Sequence, residues 1–173
     1  MKKNNIILIG FMGCGKSSVG YRLSYAMRRT LIDTDKWIER KQQSTISEIF
    51  AKEGEPAFRQ METDCVKKLI EEADNQIIST GGGLPMKEEN HKLLKELGRV
   101  YYLRVTKETV YDRLKDDTTR PLLQGDNPKG KIEELLTKRA PMYEACADVI
   151  IDVSDKSFDE IIGEIVKKEK MTK

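Results

Sequence analysis

Histidine and tryptophan each occur once and cysteine three times in the 173 residues, and aromatic residues make up only 6% of the chain. A lone histidine, His91, with Cys14, Cys65 and Cys146 widely spaced and no C-x-x-C pair, leaves little for a zinc site. An odd number of cysteines without a close pair argues against a disulfide scaffold and for free thiols in a reducing compartment. So few aromatics offer no base-stacking platform for nucleic acid. The formal net charge is +2, from 31 Lys+Arg against 29 Asp+Glu, so there is no global pull toward a polyanion. No apolar run approaches the ~20 residues of a membrane span, and Ile6–Ile9 is too short for the core of a secretion signal. The expectation is a cytoplasmic, single-domain protein with no nucleic-acid or membrane partner.

What the chain does have is alternation. Ile6-Ile7-Leu8-Ile9 is a continuous apolar run, the pattern of a strand buried on both faces. Leu31-Ile32, Ile77-Ile78, Val100 to Val105 and Val149 to Ile151 read as four further strands. Helical spacing fills the intervals: Val19, Leu23 and Met27; Trp37 and Ile38; Phe58, Met61, Cys65 and Leu69; His91 to Leu97; Val110 and Leu114; Ile132 to Tyr143; and Phe158 to Val166. Thr45 with Glu48, and Ser157 with Glu160, have the spacing of capping boxes. Strands alternating with helices predict an α/β three-layer sandwich around a five-stranded parallel sheet. One domain, 1–173, accounts for everything, with a helical insert near 36–72. The polar stretch near 116–131 reads as a loop long enough for a lid.

Between the first strand and the first helix lies Gly10-Phe11-Met12-Gly13-Cys14-Gly15-Lys16-Ser17, which matches G-x-x-x-x-G-K-[ST] in the context that pattern requires. Glycines let successive backbone N–H groups surround an anion, and the helix N-terminus adds partial positive charge. Lys16 is placed for β- and γ-phosphates and the Ser17 hydroxyl for Mg²⁺. The nucleotide-binding candidates here are Gly13, Cys14, Gly15, Lys16, Ser17 and Ser18. A GTPase base-reading Asn/Thr-Lys-x-Asp motif is absent, and the third strand ends in Ser79-Thr80-Gly81 rather than in an acid. The acids follow the second strand instead, as Asp33 and Asp35, at the sheet edge where ligands gather. Asp33 suits either a magnesium contact through water or a helix cap. Asp35 suits a hydrogen bond to a substrate hydroxyl that orients it for attack.

The phosphate loop, Asp33-Thr34-Asp35, Phe58-Arg59, Gly81-Gly82-Gly83, Arg120-Pro121-Leu122-Leu123 and Arg139-Ala140-Pro141-Met142-Tyr143 together resemble the shikimate kinase family, in order and spacing over essentially the whole chain. The resemblance implies a nucleoside monophosphate kinase fold, a monomer, and transfer of phosphate from ATP to shikimate to give 3-phosphoshikimate and ADP. It implies that the insert binds shikimate, that Arg59 and Arg139 fork its carboxylate, and that Asp35 meets its hydroxyls. Gly81, Gly82 and Gly83 would border the same pocket. Arg120 would close with the lid onto the transferring phosphate, and Arg113 would pack over adenine. Catalytic candidates are then Asp35, Lys16 and Arg120, with Ser17 and Asp33 toward magnesium. Each arginine also has a plainer reading, as a solvated or paired helix residue. Phe50 and Phe58 suit either the pocket wall or the core. Glu62, three residues after Arg59, is spaced to hold that guanidinium. The rival readings are a gluconate or nucleoside monophosphate kinase, which lacks reason for two carboxylate forks, and a non-catalytic regulator, which would not need Asp35 or Arg120.

Overall fold

The computed structural model describes residues 3–117 and 124–172. Its five strands are β1 (Asn5–Ile9), β2 (Leu31–Asp33), β3 (Ile77–Ser79), β4 (Gly98–Arg104) and β5 (Val149–Asp152). They form one parallel sheet in the order β2-β3-β1-β4-β5. Central β1 has Ile6 through Ile9 at 0% exposure, which is why its sequence shows no polar alternation. Edge strand β5 does alternate, with Ile150 exposed and Ile151 buried.

The helices are α1 (Lys16–Met27), α2 (Thr34–Gln42), α3 (Ile46–Glu53), α4 (Glu55–Glu72), α5 (Glu88–Leu97), α6 (Lys107–Leu114), α7 (Pro128–Cys146) and α8 (Phe158–Met171), with a 3-10 turn at Leu84–Met86. The path from β1 to β2 runs toward one sheet edge, and the path from β3 to β4 toward the other. Right-handed crossovers therefore put α1 and α5 on opposite faces. α1 packs with α8, and α5 with α7. The loops after β1 and β3 consequently part company, and the crevice between them opens at the carboxyl ends of the strands. Ser79 is level with both Asp33 and Leu8, so β2, β3 and β1 all end at this crevice.

The fold departs from the sequence pattern at two places. α7 begins at Pro128, inside the stretch read as loop: Asn127 caps it by accepting from Gly130 N–H at 3.1 Å, and Pro128 occupies the first turn, where its missing N–H costs nothing. At α3, Thr45 accepts from Glu48 N–H, but the Glu48 carboxylate takes the Ser44 hydroxyl at 2.9 Å, so only half of that box forms. The box at Ser157 and Glu160 is complete. All three cysteines are free and buried, and burial pushes the Cys65 and Cys146 thiols up to about 12. Among the described residues, no helix is long and apolar enough to cross a membrane.

Candidate active site

The phosphate loop joins β1 to α1. Gly13 has φ 77 and Gly15, which starts α1, has φ 94, both in the left-handed region that side chains resist. Among the described residues no side chain caps α1, and its first turn holds no acid, so its N-terminal N–H groups are left open to the crevice. Cys14 N–H closes the loop onto Phe11 O at 3.1 Å, and its thiol is buried. The Lys16 ammonium donates to Gly10 O at 2.5 Å and to Phe11 O at 3.3 Å. A cavity of about 380 Å³ lies over the loop. Gly13, Gly15, Lys16, Ser17 and Ser18 line one side of it, Asp33 and Asp35 another, and Gly81, Gly82, Gly83 and Arg139 a third.

The two readings of Asp33 are compatible: its Oδ1 caps α2 by accepting from Lys36 N–H at 3.1 Å, and the same residue lines the cavity with Ser17. Asp35 sits in the first turn of α2. Burial raises its pKa, the neighbouring Asp33 charge adds to the rise, and Lys16 and Arg59 oppose it. A carboxylate shifted in that direction is a better proton acceptor.

Arg59, on α4, bonds Glu62 at 2.5 Å and Glu55 at 3.3 Å, and its guanidinium lies 5.5 Å from the Phe58 ring centre. Glu62 is 1% exposed, and its second carboxylate oxygen is buried without a hydrogen-bond partner among the described residues. Burial pushes Glu62 up to about 7; Arg59 and Arg139 pull it down and Asp35 pushes it further up. Arg139, on α7, lies 5.7 Å from the Phe11 ring centre. Phe58 is core and Phe50 is partly exposed against it, their rings 4.9 Å apart.

Gly81 and Gly83, after β3, make room for Asp35 and Arg59, and Gly82 lies beside Arg139 at ordinary contact distance. A Cβ on Gly81 would come within 2.7 Å of Asp35 Oδ1, one on Gly82 would lie 3.5 Å from Arg139 Nη1, and one on Gly83 would overlap the Arg59 guanidinium. The need is close approach rather than unusual backbone angles. Arg59 therefore stands behind Gly83 instead of lining the cavity over the loop. Arg113 also stands outside that lining: its Nη1 donates to Gly13 O at 2.8 Å, flanking the phosphate loop. Arg120, with Pro121, Leu122 and Leu123, lies outside the described residues.

Met12, Ser79, Thr80 and Leu114 also line the cavity, although the sequence pattern did not single them out. For Ser79 and Thr80 a signal existed, because whatever ends β3 must face the crevice. Leu114 covers Gly13, and nothing distinguishes it in sequence from any core leucine of an amphipathic helix.

A family model described as shikimate kinase matches residues 12–170. The shikimate kinase of Thermodesulfovibrio yellowstonii is 44% identical over 164 residues, covering 95% of this chain and 94% of that protein. The structure of Acinetobacter baumannii shikimate kinase in complex with shikimate superposes with a TM-score of 0.89 at 36% identity, covering 99% of this chain and 95% of that one. A gluconokinase from Sinorhizobium meliloti, at TM-score 0.59 and 16% identity, shares the fold alone. With a family model matching residues 12–170 and relatives similar across nearly the whole chain, the protein belongs to the shikimate kinase family.

Proposed function

We propose that the protein transfers the γ-phosphoryl group of ATP to the 3-hydroxyl of shikimate, giving 3-phosphoshikimate and ADP on the route to chorismate and the aromatic amino acids. The observation that carries this reading is convergence: a phosphate loop, one carboxylate with a raised pKa and two arginines meet around three glycines.

Arg59 and Arg139 take the carboxylate of shikimate as bidentate donors. Asp35 accepts from the ring hydroxyls and orients the attacking one toward the γ-phosphate, its raised affinity for a proton suiting it to receive the one released. Gly81, Gly82 and Gly83 border shikimate. Gly13, Cys14, Gly15, Lys16, Ser17 and Ser18 hold the phosphates, with Lys16 moving from the loop carbonyls to the β- and γ-oxygens. Arg113 flanks the nucleotide, and Arg120 closes over the transferring group with a lid drawn from the stretch ahead of α7. Residues near 36–72 act as the shikimate-binding insert. Ser17 and Asp33 offer one hydroxyl and one carboxylate beside the phosphate loop, a donor set that fits magnesium arriving with phosphates and water. When bound, that ion neutralises phosphate charge. We place the enzyme in the cytoplasm as a monomer that binds small molecules and neither membrane nor nucleic acid.

Two sets of variants test the roles. Asp35→Asn should retain ATP binding and lose roughly 10²–10⁴-fold in kcat. Arg59→Ala and Arg139→Ala should each raise the KM for shikimate about 10- to 100-fold. An unchanged KM in both arginine variants would refute the carboxylate fork.

A further inference from the structure

The turn after β3 is fastened at three nearby points. Gly81 N–H donates to Thr34 Oγ1 at 3.0 Å. Tyr143 OH donates to Gly82 O at 2.6 Å. Asn90 Nδ2 donates to Leu84 O at 2.9 Å, and Asn90 Oδ1 lies 2.9 Å from Thr63 Oγ1. Thr63 Oγ1 is also 3.2 Å from Arg59 O, and its one proton serves the shorter contact. Lys87 Nζ donates to the same oxygen at 3.2 Å. Thr34, Thr63, Asn90 and Tyr143 are all buried.

These fasteners are not scattered. Thr34 immediately precedes Asp35 on α2. Tyr143 follows Arg139 by one turn of α7, and Thr63 follows Arg59 by one turn of α4. The glycines face the same partners: Gly81 leaves room for Asp35 and Gly83 for Arg59, and Gly82 lies beside Arg139. α2 and α7 are thus each tied to the turn by one side chain and α4 through Thr63 and Asn90 together, while Gly81 and Gly83 give Asp35 and Arg59 their clearance. Valine or phenylalanine would fill the volumes of Thr34, Thr63 and Tyr143 without a polar group to satisfy, so packing alone does not explain the hydroxyls.

We propose that Thr34, Tyr143 and the Thr63–Asn90 pair are positioning residues that register α2, α7 and α4 against the glycine turn, so that Asp35, Arg139 and Arg59 converge on one shikimate molecule. The inference rests on the shikimate reading above. Registry of this kind sets how well shikimate is gripped and bears less on ATP, because the phosphate loop follows a different strand and carries none of the fastened residues.

The test uses the full-length protein and two substitution sets: Thr34→Val with Thr34→Ser, and Tyr143→Phe. Shikimate affinity by calorimetry, KM for shikimate, KM for ATP and Tm are measured for each. The Val and Phe variants should weaken shikimate by about 5- to 50-fold, the cost of stranding one half-buried partner, with a smaller change in KM for ATP. Thr34→Ser, which restores the hydroxyl, should return shikimate KM to near the wild-type value. A lowered Tm with unchanged shikimate KM, or equal losses for shikimate and ATP, would overturn the proposal, because a merely structural role changes the folded fraction and not KM. Wild-type protein that fails to bind shikimate would overturn the functional reading itself, whereas wild-type binding with unaffected variants would overturn only this inference.

Discussion

At Gly83 a single methyl group would stand where the Arg59 guanidinium is. The backbone there has φ −90, which alanine adopts freely. Gly83→Ala should therefore fold, displace Arg59 at a cost of about 1–3 kcal/mol for the Glu62 carboxyl it leaves unpaired, and raise the KM for shikimate on the order of tenfold; a wild-type KM would show that Arg59 does not need that space. Glu62 makes a second prediction. Its pKa rises from 4.5 to about 7 in the fold, so the stability it contributes is full below about pH 4.5 and is lost as pH rises through about 7. A shikimate carboxylate arriving beside Arg59 would add negative charge and raise Glu62 further. Shikimate binding should then take up a proton near pH 7 and tighten from pH 8 to pH 6. Calorimetry in buffers of different ionisation enthalpy reads that uptake, and its absence in wild type, or its persistence in Glu62→Gln, would contradict the assignment. Sequence spacing is enough to pair Glu62 with Arg59. Its burial and unpartnered oxygen depend on how α2, α4 and α7 close together, which no local pattern encodes.

At the scale of elements, strands and helix starts are legible where a local rule suffices. The unbroken run at Ile6–Ile9 announces a central strand, and Ser157 with Glu160 announces the helix it caps. Legibility fails where one residue has two meanings. Pro128 and Gly130 read as breakers, yet proline is favoured in a first turn, and Gly130 leaves room for the Asn127 amide that caps it. Asn5, at the start of β1, gives no signal at all. Buried, it donates to Ala73 O at 3.1 Å and Leu97 O at 2.9 Å and accepts from Gln76 N–H at 2.9 Å, tying together the chain ends of α4, α5 and β3. Asn5→Leu keeps the volume and strands three backbone groups, so urea unfolding should show a loss of about 3 kcal/mol, with kcat of the folded enzyme retained. A loss below ~0.5 kcal/mol would mean water replaces the amide.

Across the whole molecule, the candidate site draws on residues from Gly13 to Arg139, brought together because β1, β2 and β3 end level with one another. The order of motifs along the chain makes that gathering legible, since each motif follows a strand or sits on a helix that the alternation of apolar runs already places. The fastening of the glycine turn by Thr34, Tyr143 and Asn90 is not legible, because a threonine or tyrosine in a helix looks the same whether its hydroxyl meets water or a backbone group in another element. The central claim is that this convergence serves phosphoryl transfer to one small carboxylate. The most direct test is ADP release by the wild-type enzyme with ATP and magnesium, shikimate being the sole acceptor. Saturable, shikimate-dependent ADP release that falls to background with gluconate or a nucleoside monophosphate is the expected result. ATP binding without shikimate-dependent turnover would contradict it.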